Sequence, residues 1–430
     1  MKYLAVAVPS IIFLAGLIVV WKVKLECALW ASVTTALVMA IMVPSFATSA
    51  PVAVAAVVGA ILVLAFGLLR DWRTLKQAPL PLVLIFFTLW CATVGSVGSP
   101  IKLVLLNLGT GALLSLLAVA VVGAAKRHTN FLLPLLAIVI VFEVLLGLAE
   151  EFLGLKAMWP RANGTDVIAN RVNSIVPFLA GRAMGSTSQP IPYGVLLGFA
   201  LIVCLWFAVR RKSALLYSAA ALAFVGMLLS GTRSALLGVG AAIALWALLA
   251  LRHRLRILIP VLAVIVVGAV TTLVVVLTSG DRALLTSDSV LHRLGILETA
   301  ANLLKRNAAD FLFGRGYQSM GVLIRSGVVH GVAGIDVFDE EFVRTIASVG
   351  LIGLLLLIAA IALGLRRGNQ LSRLLIVFIV LGFFAYDALS WRLSATLFVV
   401  ALAYGYGTER SLENPGIRFS SLTSRFSKAR

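Results

Sequence analysis

The chain alternates between apolar runs of about 17 to 23 residues and short polar punctuation, and a helix needs about 20 mostly apolar residues to cross a bilayer. That pattern predicts spanning helices over Leu4 to Val20, Cys27 to Val43, Pro51 to Leu69, Leu80 to Val97, Leu103 to Ala124 and Phe131 to Leu148. After a polar stretch come Pro192 to Val209, Ala214 to Leu229, Ala235 to Leu251 and Ile257 to Ser279. Phe342 to Leu365 follows a second, longer gap. Leu374 to Gly407, interrupted by Asp387, Trp391 and Arg392, reads as two short helices joined by a tight turn. The expectation is an all-α polytopic membrane protein with 12 to 13 spans.

Six segments follow: amino-terminal spans (1–148), a first loop (149–191), central spans (192–279), a large and partly helical second loop (280–341), carboxy-terminal spans (342–407) and a basic tail (408–430). Composition agrees, with 61% apolar and only 12% charged residues, where a soluble protein carries about 25% charged. The mean hydropathy is +1.08. Cys27, Cys91 and Cys204 all fall in apolar runs without metal-ligand spacing, so they read as small buried residues. The first span lacks a small-residue cleavage site and runs into Trp21, Lys22 and Lys24, as a retained helix would.

A net charge of +19 in a soluble chain would suggest nucleic acid; here it reports orientation. The short loops on the side of Arg210, Arg211 and Lys212, together with the tail, collect 21 Lys and Arg. Short loops on the other side hold four: Lys2, Lys102, Arg233 and Arg392. The positive-inside rule therefore makes the first side cytoplasmic and predicts a cytoplasmic carboxy-terminus, with both long loops outside. Those loops nevertheless carry Lys156, Arg161, Arg171, Arg182, Arg282, Arg293, Lys305, Arg306, Arg315 and Arg325, which orientation does not explain.

Five constellations carry candidate chemistry. Ser230-Gly231-Thr232-Arg233-Ser234 joins two spans on the outer side: either a helix hairpin with a snorkelling arginine, or an anion site made of a helix start and a guanidinium fork. Val290 to Arg306 has helical periodicity, with Val290, Leu294, Leu297, Ala301 and Leu304 on one face. Arg293 shares an apolar face with Ile296, Leu297, Ala300 and Leu304, so it needs an anionic partner, lipid phosphate or substrate. Phe313-Gly314-Arg315-Gly316-Tyr317 is a turn or a phosphate-cradling nest.

Asp336, Asp339, Glu340 and Glu341 crowd the start of the next span, either as a general-base cluster or as a solvated helix start that complements the macrodipole. His330 is the histidine nearest them. The run from Arg182 through Gly185 to Pro190 and Tyr193 is a compact re-entry, with proline well suited to a first helical turn. Glu143 and Asp387 lie in or at the end of spans, where carboxylates can mark a transport path. There is no P-loop, HExxH or GxSxG.

Taken in order, Arg182/Gly185/Pro190, "SGTRSALLG" (230–238), "HRLGILETAANLL" (292–304), "LFGRGY" and "FDEEFVRTIASVGLIG" (338–353) resemble the bacterial O-antigen polymerase and O-antigen ligase superfamily. These are integral membrane glycosyltransferases of the GT-C class, and the similarity covers Arg182 to Gly353. The resemblance implies a GT-C-like fold in the bacterial inner membrane and an active site facing the periplasm. It implies a glycan donor and acceptor on undecaprenyl diphosphate, membrane lipids and a chain-length regulator as partners, and no nucleic acid.

The resemblance further implies inverting transfer without nucleotide sugar, metal or other cofactor. By position it implies Arg233 and Arg293 on the diphosphate, with Arg182 and Arg315 assisting. Ligases of the family carry His and Asn where this chain has Asp339, Glu340 and Glu341, and His330 lies about ten residues early. The resemblance therefore leans to a polymerase with Asp339 as first choice of base, ahead of Glu340, Glu341 and His330. A ligase acting on lipid A core is the nearest alternative, and a lipid-linked oligosaccharide flippase or transporter is the alternative of another class.

Overall fold

The computed structural model describes residues 2–44, 50–73, 79–155, 158–159, 173, 175–176, 178–179, 181–251, 295–296, 300–329 and 340–408. Arg293, His330, Asp336, Asp339, the predicted span Ile257 to Ser279 and the basic tail lie outside these residues. Among the described residues the chain is helical throughout, with no strand.

The helices are α1 (Lys2–Lys22), α2 (Ala28–Met42), α3 (Ala50–Arg70), α4 (Leu82–Gly95), α5 (Ile101–Arg127), α6 (Leu132–Leu153), α7 (Pro190–Arg211), α8 (Ala214–Ser230) and α9 (Arg233–Leu251). Two short ones, α10 (Ala308–Phe313) and α11 (Ser319–Arg325), precede α12 (Glu341–Arg367), α13 (Gln370–Gly382) and α14 (Arg392–Thr408). Twelve predicted spans coincide with α1–α9 and α12–α14. Five of the described helices, α3, α5, α6, α7 and α12, are long and apolar enough to cross a membrane. The chain is a multi-pass membrane protein.

Contacts between elements respect the alternation that the charge pattern requires. On one face, Arg392 Nη1 donates to the Val43 carbonyl, Ser186 Oγ to that of Ile41, and the Tyr317 N–H to that of Gly95. On the other, Trp30 Nε1 donates to the Phe131 carbonyl and Arg127 pairs with Asp71 at 2.9 Å. Helix α9 starts on the first face and runs away from it, yet residues 300–329 pack back on the first face.

Helix α7 is the hub. It packs against α6, α8, α9, α13 and α14 and is buried along most of its length. Its sequence reflects this: Tyr193, Leu196, Leu197, Phe199, Val203, Cys204 and Trp206 point in several directions and all are buried, as expected of a helix that is apolar all round.

Helix α12 departs from expectation. The pattern predicts an unbroken span, but Gly350 adopts φ 74° and ψ −177° and breaks the helix. The break frees backbone carbonyls, which in a bilayer must find donors within the protein. Arg306 Nη1 donates to the Ala347 carbonyl at 3.0 Å, the Gly316 N–H to that of Ser348 at 2.8 Å, and Trp90 Nε1 to that of Val349 at 2.9 Å. The second loop is thus wedged into the helix it precedes.

Candidate functional site

The site begins with how α8 ends. Its C-cap is Gly231, at φ 61° and ψ 23°, the left-handed conformation that glycine adopts without steric cost. The last carbonyls of a helix need outside donors, and the first loop supplies them. Asn173 Nδ2 donates to the carbonyls of Leu228 (2.8 Å) and Leu229 (3.1 Å), and the Ala183 N–H donates to that of Leu229. Arg182 Nε donates to the Ser230 carbonyl at 2.8 Å, and its Nη2 to Thr232 Oγ1 at 3.2 Å. A cation at this end also complements the helix dipole.

Thr232 fixes the other side of the turn. Its Oγ1 donates to the Pro190 carbonyl at 2.9 Å and its N–H donates to Ser230 Oγ. Arg233 follows, with an exposed side chain at the first residue of α9. Two arginines from distant sequence therefore meet at one turn, beside the first N–H groups of a helix, where anions are favoured. Next to them a narrow crevice is lined by Val195, Ser234, Ala235, Phe378, Ile379, Gly382 and Tyr386. It connects the turn to the α13–α14 connection.

That connection is held by the acidic segment. The Glu341 N–H donates to the Phe383 carbonyl. Glu341 Oε2 accepts from the Leu389 N–H at 2.7 Å, and Oε1 accepts from Arg344 Nη1 (3.2 Å) and Thr345 Oγ1 (3.1 Å). Glu340 is the N-cap residue of α12, and both glutamates are buried. Of the two readings of this segment, the solvated helix start does not hold for Glu341, which is a buried clasp at a helix amino-terminus with both oxygens engaged. Arg344 completes the clasp by lying 4.8 Å from the centre of the Tyr317 ring. At the connection itself, Asp387 accepts from Trp391 Nε1 at 2.9 Å and from the Ser390 hydroxyl.

Arg315 does not join Arg182. It pairs with Asp310 at 2.6 Å, and this charged neighbour holds the Asp310 carboxyl below the ordinary carboxylate range. The flanking glycines do not form an open nest: the Gly314 N–H donates to the Asp310 carbonyl and that of Gly316 to the Ser348 carbonyl. The Gly-Arg-Gly run is a turn docked on α12.

The expected helix over 290–306 also differs. Ala300–Lys305 is 3₁₀, as short helix ends often are, because Asn307 turns the chain to cap α10 by accepting from the Asp310 N–H. The buried residues here are Ile296 and Leu303, whereas Leu304 on the predicted face is 64% exposed. Val290, Leu294 and Leu297 of the predicted face lie outside the described residues.

Within α6, Glu143 reaches the end of the first loop. It is fully buried and accepts from the Ser186 N–H and hydroxyl, while Glu150 accepts from the N–H groups of Met184 and Gly185. Two carboxylates of α6 thereby pin the segment that follows Arg182. Among the described residues no group of His, Cys, Asp and Glu has metal-ligand geometry. Asn173 and Trp90 had no sequence signal, since neither stands in a motif; Tyr317 and Arg344 stand in two of the motifs, but nothing in the sequence pairs them. No protein-family model matches the chain, and no curated protein matches it in sequence.

Proposed function

We propose that the protein is a GT-C-like glycosyltransferase of the bacterial inner membrane. In this reading it polymerises undecaprenyl-diphosphate-linked repeat units on the periplasmic face, with its carboxy-terminus in the cytoplasm. The observation that carries the reading is the meeting of Arg182 with the Ser230–Thr232 turn, next to exposed Arg233. A pair of guanidiniums beside a helix start is suited to a diphosphate, and it stabilises the charge that grows on that group as it departs.

The acceptor hydroxyl attacks the anomeric carbon of the donor as the bond to diphosphate oxygen breaks, inverting the centre. The hydroxyl proton passes to a carboxylate. Glu341 is engaged through both oxygens; by its place in the sequence Asp339 is the first choice for this role, ahead of Glu340 and His330. Arg293 is assigned to the diphosphate by its place in the sequence.

Purified protein in proteoliposomes, supplied with a lipid-linked repeat unit, is expected to produce a ladder of longer glycans. No extension or transfer of any lipid-linked glycan would overturn the proposal. Deleting the gene distinguishes the rivals: loss of a polymerase leaves single repeats on their acceptor, whereas loss of a ligase leaves long polymer on the carrier.

A further inference from the structure

The rim formed by α4, α10 and α12 carries a second cationic group, separate from the Arg182 turn. Leu82, Phe86 and Leu89 are exposed along one side of α4, as are Leu355 and Ile358 on α12. The two helices pack together, and both present apolar side chains outward. At one end of the pair the ring of Trp90 lies 6.0 Å from that of Phe313, where an aromatic residue marks the membrane interface. Leu304, Leu312 and Phe313 are exposed on the segment that covers this end, at 64%, 39% and 48%.

Immediately beside these apolar side chains are Arg306 and Arg315. Arg315 is 59% exposed and its Nε is paired with Asp310. Arg306 is anchored through Nη1 to the Ala347 carbonyl, whereas its Nη2 is buried and has no hydrogen-bond partner among the described residues. Both guanidiniums lie within electrostatic reach of the single carboxylate of Asp310, so the group keeps a net positive charge. Cations above outward-facing apolar side chains are complementary to a phosphate joined to acyl chains.

We propose that exposed Arg315, backed by the charge of Arg306, binds the phosphodiester headgroup of an anionic phospholipid, whose acyl chains lie along α4 and α12 beneath Phe313. The site does not depend on the transferase reading. It gives Arg315 a role other than holding the diphosphate, and it ties the second loop to the bilayer at the point where that loop enters α12.

The test uses the full chain in liposomes containing a photoreactive phosphatidylglycerol, with the labelled peptide identified by mass spectrometry. Labelling of residues 304–315 is expected to exceed that by the matching phosphatidylcholine probe. Each cation near an anionic lipid is worth about 1 kcal/mol, so Arg315→Gln should weaken labelling about fivefold and the Arg306→Gln/Arg315→Gln pair about 25-fold. Arg233→Ala should leave it unchanged. Equal labelling by both probes overturns the proposal, as does labelling that survives the double substitution. So does labelling confined to an undecaprenyl diphosphate probe. Should the double variant not fold, Arg315→Gln, at an exposed position, decides alone.

Discussion

Gly314 and Gly350 lie back to back with nearly the same backbone conformation, φ 77° and ψ −178° in one, φ 74° and ψ −177° in the other. A β-carbon on Gly314 would come within 2.3 Å of the Ser348 carbonyl oxygen, and one on Gly350 within 2.2 Å of that of Leu312. This backbone region is essentially confined to glycine, and occupying it with another residue costs about 1–3 kcal/mol before any clash. Gly314→Ala and Gly350→Ala are each expected to lower the thermal unfolding midpoint in detergent. Gly327→Ala, also at positive φ but in open space, should lower it less.

The Arg182–Ser230 cap and exposed Arg233 separate structure from chemistry. Arg233→Ala should fold normally and lose about 100-fold or more in glycan extension, the size expected when a group that stabilises developing negative charge is removed. Arg182→Lys should lower both the unfolding midpoint and activity, because an ammonium does not reproduce the two-point guanidinium contact. Extension assays run beside thermal melts distinguish the two patterns.

Glu341 and Arg344 form an ion pair at 3.2 Å with side chains only 1% and 6% exposed. Removing one partner of such a pair strands the other charge, typically at a cost of about 3–5 kcal/mol. Glu341→Gln and Arg344→Met should therefore each unfold at markedly lower temperature. The Glu341→Gln/Arg344→Met double variant should recover most of that loss, and additive losses in the double-mutant cycle would refute the coupling.

Asp310 supplies a pH dependence. Its carboxyl is held below the ordinary 3.8 chiefly by the hydrogen bond from Arg315, so the folded state favours the ionised form. The Asp310–Arg315 contribution is present above pH 3.8 and is lost as pH falls through the lowered value. Thermal midpoints of wild type and Asp310→Asn should differ at neutral pH and converge in acid. A difference that persists at the lowest pH would rule out this origin.

The spans were legible because hydrocarbon imposes length and composition, and even the interruption at Asp387, Trp391 and Arg392 appears as the α13–α14 turn. The turn at Gly231 and the re-entry before Pro190 were also readable, since glycine and proline fix backbone conformation. The pairing of Arg182 with Ser230 was not, because it satisfies carbonyls whose need arises only once α8 has ended there. Nor was the break in α12: "SVGLIG" reads as an ordinary apolar helix, and only the docking of Gly314 and Gly316 makes Gly350 bend. Glu341 looked like one of four interchangeable acids, yet Arg344 and Thr345, one turn further along the same helix, commit it to the clasp.

The three carbonyls at the α12 break draw their donors from α4, from the stretch before α10 and from the Gly-Arg-Gly turn. If the second loop lifted away, the Ala347 and Ser348 oxygens would be left facing hydrocarbon, an arrangement that costs several kcal/mol for each group. Straightening of α12 is the only local way to recover those bonds. Departure of residues 306–316 and straightening of α12 are thus a single event, which makes the bend a mechanical latch between that segment and the helix.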